Sequence, residues 1–275
     1  MKVLILGATG MLAKPVINHF YKKGFDLRLF SRSIEKSGYP EKFEIVKGDI
    51  FNNNDLLNAM DGCDAVHINL GKVNEAEATE NIVKVCKQNN IQLISYISGC
   101  TVSEEHRWFW MIDNKFKAEN AIIKSGIDFI IFRPTWFFES LKYNVRNGKV
   151  TLMGKNQKQY HWIAAEDYGR MVAEAYIRQE ARNKIFYIYG KEKHTFKELI
   201  SEYCKQLYPE IKKISTVPLS ILKLISKLTG KKELKMAAEL FSYFEKVDEP
   251  EITDEAYKVL GEPQLNFQKW LETQK

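Results

Sequence analysis

The chain has 275 residues, with 41 Lys and Arg against 35 Asp and Glu, for a formal net charge of +6. That length buries a full core without cross-links, and the four widely spaced cysteines (Cys63, Cys86, Cys100 and Cys204) argue against a disulfide framework and for a reduced, cytoplasmic protein. The lysines are scattered, with short doublets such as Lys22-Lys23 and Lys231-Lys232, so a solvated surface is expected rather than nucleic-acid binding.

The chain opens with an apolar run, Lys2 to Leu6, that is too short for a secretory leader and leads into Gly7, Gly10 and Ala13. This pattern predicts a strand, a tight turn and a helix. Gly7 and Gly10 remove side chains where the backbone must turn and approach a pyrophosphate, and Ala13 allows close packing of helix on strand. The turn residues Thr9, Met11 and Leu12 then present backbone amides to phosphate, helped by the helix dipole.

Met11, Leu12, Val16, Ile17, Phe20 and Tyr21 follow at helical spacing, Gly24 closes that helix, and Asp26–Phe30 reads as a second strand. Further strands are predicted at 43–46, 65–70, 93–97, 129–132 and 185–189. Helix-like segments lie between them at 55–60, 76–87 and 115–124. Such alternation implies an α/β fold with a doubly wound parallel Rossmann sheet. Helical patterns at 196–207, 219–228, 233–244, 254–259 and 267–273 then predict a mostly helical C-terminal lobe. The expected division is a nucleotide-binding core over 1–190, with 134–160 on the substrate side, and a substrate-side lobe over 191–275. The 219–228 helix carries an apolar stripe with Lys223 and Lys227 on the other side, a pattern that suits contact with a membrane or a greasy substrate but is expected here to cap a core, and no run is long enough for stable membrane insertion.

Ligands of doubly wound sheets bind beyond the carboxyl ends of the strands. The second strand ends in Ser31-Arg32-Ser33 where an NAD site places a carboxylate. Arg32 pairs with a 2′-phosphate that a carboxylate would repel, so NADP(H) is favoured over NAD(H). Gly48-Asp49 is placed either to meet the adenine or to make a turn or helix cap. The remaining strand ends nominate Asn69, Gly71, Ser98 and Pro134.

Gly7, Gly10, Ala13, Arg32, Gly48-Asp49, Lys115 with Glu119, and the run Ser125 to Pro134 together resemble an atypical short-chain dehydrogenase/reductase of the NmrA-like NAD(P)-binding group. The resemblance covers about the first 190 residues, including His161 to Asp167. Many such chains are described as nucleoside-diphosphate-sugar epimerases. It implies a Tyr-x-x-x-Lys pair in which the lysine lowers the tyrosine pKa for acid–base work. Here the pair is Met111 and Lys115, and Gly99 stands near the serine position. A thioether has no proton to exchange, so tyrosine-based sugar epimerisation is disfavoured. Isoflavone-reductase-like relatives use the lysine alone, which leaves Lys115 as the candidate catalytic residue or as a ribose anchor.

Trp108 and Trp110 precede Lys115, while Trp136, Phe137 and later Trp162 follow strand ends, so an aromatic substrate pocket is expected. The five histidines lack ligand spacing, so no metal is expected. Two functions follow: an NADP(H)-dependent oxidoreductase acting on a small apolar carbonyl, enone or quinone, or a non-catalytic NADP(H) sensor with a regulatory protein partner. A sugar-nucleotide epimerase or dehydratase ranks third.

Overall fold

The apolar runs of the first half become strands of one parallel sheet. The computed structural model describes residues 1–35, 39, 42–71 and 74–275. In chain order its elements begin β1 (Lys2–Leu6), α1 (Ala13–Lys22), β2 (Asp26–Ser31), β3 (Glu44–Lys47), α2 (Asn53–Met60), β4 (Ala65–Ile68), α3 (Glu75–Gln88) and β5 (Leu93–Ile97). They continue with α4 (Trp110–Ile123), β6 (Asp128–Pro134), β7 (Trp136–Phe137), β8 (Val145–Arg146), β9 (Lys149–Met153), β10 (Tyr160–Ile163), α5 (Ala165–Ile177) and β11 (Lys184–Ile188). The chain ends with β12 (Lys193–His194), α6 (Phe196–Leu207), β13 (Ile214–Val217), α7 (Leu219–Thr229), α8 (Lys232–Phe244), α9 (Glu255–Leu260) and α10 (Phe267–Glu272).

Two compact units divide these elements. The first comprises 1–134, 165–188 and 252–262, and the second 135–164, 189–251 and 263–275. This departs from the expected boundary at residue 190, because α9 returns to the first unit. Ala256 and Leu260 are buried there. The Arg170 guanidinium of α5 donates to the carbonyls of Leu260 at 3.0 Å and Glu262 at 2.6 Å.

The first unit holds a seven-stranded sheet in the order β11-β6-β5-β4-β1-β2-β3, with every pairing parallel. Order reverses between β1 and β4, the switch point where such sheets bind ligands. Strands β4 and β5 are buried at every residue, as a sheet covered on both faces requires. Close packing shows at Gly169 of α5, where a Cβ would lie 2.6 Å from the Pro15 carbonyl carbon of α1. The second unit carries two three-stranded sheets, β12-β10-β7 and β13-β9-β8, among its helices. Sequence periodicity misses these because β7, β8 and β12 span only two residues each. Its aromatic core gathers Phe138, Tyr160, Trp162, Phe196 and Trp270.

One buried base gives the first unit a pH dependence. His67 on β4 is fully buried, with Nδ1 2.7 Å from Ser95 Oγ and Nε2 without a hydrogen-bond partner among the described residues. Burial pushes the imidazole down from 6.5 to about 3, so the native state stays unprotonated where the unfolded chain takes up a proton. The unfolded state therefore binds more protons between those two values, and stability falls as pH drops through that window. Urea unfolding at several pH values should show a slope of up to about 1.4 kcal/mol per pH unit that His67→Gln removes. Equal slopes in the two proteins would exclude His67 as its source.

Candidate functional site

The carboxyl ends of β1 and β4 make a cradle that only glycine fits. Gly7 has φ +76°, and a Cβ there would lie 2.1 Å from the Asn69 carbonyl oxygen. Its N–H and that of Ala8 both donate to the Phe30 carbonyl, at 3.0 and 3.1 Å, which ties the turn to the end of β2. Gly10 N–H donates to Gly7 O at 2.9 Å, and Ala13 N–H to Gly10 O at 3.0 Å. A Cβ on Gly10 would stand 3.2 Å from Gly7 O and 3.3 Å from the Asn69 amide nitrogen. Thr9, Met11 and Leu12 lie in the same turn, with Thr9 Oγ1 2.9 Å from Ser31 Oγ. No acidic residue occupies the first turn of α1, where Lys14 is exposed. The open turn and absent carboxylates suit a diphosphate.

Arg32 is exposed just past β2. The Asp49 carboxylate accepts from Phe51 N–H at 3.1 Å, and Asp49 N–H donates to Asp55 Oδ2 at 2.8 Å. Its side chain thus shapes the turn ahead of α2. Gly48 permits that turn, since a Cβ would fall 2.7 Å from the Phe30 ring. Asn69 is buried beside the glycine turn, and Gly71 is exposed ahead of two residues outside the described set. Pro134 O accepts from Cys100 N–H at 3.0 Å, which joins the ends of β5 and β6.

Two carboxylates, Glu75, which the sequence did not single out, and Glu119, which it showed only as part of a motif, organise the ends of β5, β6 and α4. Glu75, at the start of α3, receives Lys115 Nζ at 2.9 Å and the Tyr96 hydroxyl on the same oxygen. Lys115 also donates to the Ile97 carbonyl at 3.5 Å. Burial, reinforced by Glu75, holds the Tyr96 phenol well above its ordinary pKa, so Tyr96 stays protonated. One turn before Lys115, Met111 occupies the same side of α4.

The second carboxylate is Glu119, which is 3 % exposed. Arg133 grips it with Nε to Oε1 at 2.9 Å and a terminal nitrogen to Oε2 at 2.5 Å. The Ser98 hydroxyl donates to the same Oε1, and Arg133 also reaches the Tyr187 hydroxyl at 2.6 Å. Ser98 is therefore committed to a structural network. Glu119 and Arg133 were visible in the sequence only as parts of a motif, because their partnership crosses from a helix to a strand.

Of the aromatic residues, Trp108 and Trp110 are exposed on the first unit, at 59 % and 46 %. In the second unit, Trp162 and Phe137 are buried, and Trp136 packs its ring 4.8 Å from Phe196 and 4.7 Å from Phe244. Trp162 belongs to that unit's own aromatic core, and Trp136 packs against it. His161 donates or accepts at 2.9 Å with Glu249, whose carboxylate also receives the His161 N–H at 2.8 Å, so the pair anchors the segment after α8.

The glycine cradle at the switch point is matched by a family model described as NAD(P)H-binding, over residues 7–177. The chain belongs to that NAD(P)H-binding family. Its structural neighbours are of the NmrA-like atypical short-chain dehydrogenase type. The NADPH-dependent quinone oxidoreductase of Escherichia coli, solved with NADPH, superposes with a TM-score of 0.79 at 18 % identity, covering 100 % of this chain and 99 % of that one. A nucleoside-diphosphate-sugar epimerase of Staphylococcus aureus gives the same score and identity over 99 % and 100 %. At such identity both establish the fold alone. The photosystem II assembly factor Ycf39 of Trieres chinensis is 21 % identical over 84 % of this chain and 76 % of that protein.

Proposed function

We propose that the protein is an NADPH-dependent reductase acting on a small apolar carbonyl, enone or quinone. The Lys115–Glu75 pair carries this reading. With Met111 in the tyrosine position, the Lys115 ammonium is the proton-bearing group that α4 offers at the sheet's carboxyl edge, and Glu75 fixes its direction. When bound, the cofactor supplies hydride to the acceptor. Lys115 delivers the accompanying proton or orients the ribose, Gly7 and Gly10 admit the diphosphate, and Arg32 meets the 2′-phosphate. Exposed Trp108 and Trp110 offer an apolar surface to the acceptor.

The quinone reductase among the neighbours agrees with this reading, and the neighbour described as an epimerase does not oppose it, since the standard epimerase tyrosine is replaced here by Met111. A sensor without turnover is the second reading. It is favoured by the engagement of both the Ser98 and Tyr96 hydroxyls with buried carboxylates.

Fluorescence titration with NADPH and NADH, followed by oxidation assays over quinones, aldehydes and enones, separates the two. The reductase reading expects tighter NADPH binding and measurable turnover. It also expects Lys115→Met to lose about a hundredfold in kcat with cofactor affinity little changed. Tight NADPH binding with no acceptor reduced would favour the sensor, and NADH binding without NADPH binding would reject the role given to Arg32.

A further inference from the structure

Helix α7 turns apolar side chains toward solvent. Ile221, Leu224, Ile225 and Leu228 recur at i, i+3, i+4 and i+7, and are 48 %, 57 %, 40 % and 78 % exposed. These four fall within an arc of roughly 100° on the helix surface. The face that packs is a different one, carrying Leu222 and Ser226, both buried. The sequence expectation that this stripe caps a core therefore fails. The stripe faces outward, and Leu222 and Ser226 on another arc make the packing contact.

Charge completes the pattern. Residues 211–235 contain seven lysines (Lys212, Lys213, Lys223, Lys227, Lys231, Lys232 and Lys235) and a single acid, Glu233, a net of +6. The whole chain also carries +6, so the other 250 residues sum to zero and all the excess positive charge lies around this one helix. The lysines only look scattered when the acids among them are not counted. All seven are exposed. Among the described residues Lys223 and Lys227, on the polar side of the helix away from the centre of the apolar arc, join no ion pair, and Lys235 meets Glu239 at a loose 3.8 Å.

An outward apolar arc with unpaired lysines on the opposite, polar side has the makeup of a helix that lies in a membrane interface. We propose that α7 docks the protein reversibly on an anionic lipid surface, with Ile221, Leu224, Ile225 and Leu228 entering the acyl boundary and the surrounding lysines, Lys223 and Lys227 among them, supplying the attraction to headgroup phosphates. A membrane span is not involved, since no described helix is long and apolar enough to cross a bilayer. The proposal is independent of the reductase reading.

Vesicle flotation of the full chain tests it, using phosphatidylglycerol mixed with phosphatidylcholine, and phosphatidylcholine alone. Binding is expected to the anionic vesicles, to weaken strongly in about 0.5 M salt, and to be small on the zwitterionic ones. Leu224→Ser with Leu228→Ser should weaken it by at least about tenfold, and so should Lys223→Glu with Lys227→Glu. Because these side chains are exposed, thermal unfolding of both variants should match the parent, which shows that they fold. No binding to either vesicle, or unchanged binding in both variants, overturns the proposal. So does concentration-dependent self-association that the Leu224/Leu228 variant abolishes while vesicles bind nothing, which would make a second copy the occupant.

Discussion

Glu119→Ala is expected to cost the protein about 3–5 kcal/mol of unfolding free energy, the usual loss when one partner of a buried ion pair is removed. The reason lies in what stays behind. Arg133 is 13 % exposed in its side chain and, among the described residues, keeps only the Tyr187 hydroxyl as a hydrogen-bond partner once both Glu119 oxygens are gone. The guanidinium cannot shed its proton to escape the cost. Ser98 loses its acceptor at the same time. Glu119→Gln keeps the shape and one acceptor oxygen and should cost less, while Glu119→Leu combined with Arg133→Met removes both charges and should recover most of the stability. Urea unfolding of the four proteins measures this. If the double variant is as unstable as Glu119→Ala, packing rather than an unpaired charge accounts for the loss.

Gly7→Ala carries the other large effect. Two penalties coincide at that position: a left-handed backbone at φ +76° and a Cβ 2.1 Å from a backbone oxygen that belongs to the adjacent strand end. The first alone costs on the order of 1–2 kcal/mol, and the second cannot be relieved by a side-chain rotation because Asn69 O is main chain. The variant should lose at least about 3 kcal/mol and bind NADPH at least a hundredfold more weakly, by titration of folded material. Gly24→Ala serves as the control. Its φ is +80° with open space around the added carbon, so only the backbone penalty applies and cofactor affinity should not change. Comparable loss of cofactor binding in both variants would mean that global stability, not the cradle, is being measured.

Much of the first unit was legible from residue pattern because a parallel sheet buried on both faces needs uninterrupted apolar strands. The runs at 65–70, 93–97 and 129–132 announce themselves for that reason, and they become β4, β5 and β6. Gly7 and Gly10 were legible because glycine there answers a steric demand. The start of α4 at Trp110, five residues before the periodic pattern begins, was hidden by aromatic residues that follow no helical stripe. Glu75 was hidden more deeply. An acid at the first position of a helix looks like a response to the helix dipole, and its pairing with Lys115 arises only when the sheet brings α3 beside α4. In the second unit β7, β8 and β12, at two residues each, are too short to show alternation.

The return of α9 to the first unit sets a rule for dividing the chain. The path passes between the two units at 134/135, 164/165, 188/189, 251/252 and 262/263, so neither is a contiguous stretch that a single cut could release. Ending the polypeptide at residue 190 would strip the Arg170 guanidinium of both its carbonyl acceptors and uncover the surface that Ala256 and Leu260 protect. The nucleotide-binding unit therefore cannot be clipped free as a simple N-terminal module. Whatever the second unit contributes, the chain path ties it to the first at five separate places.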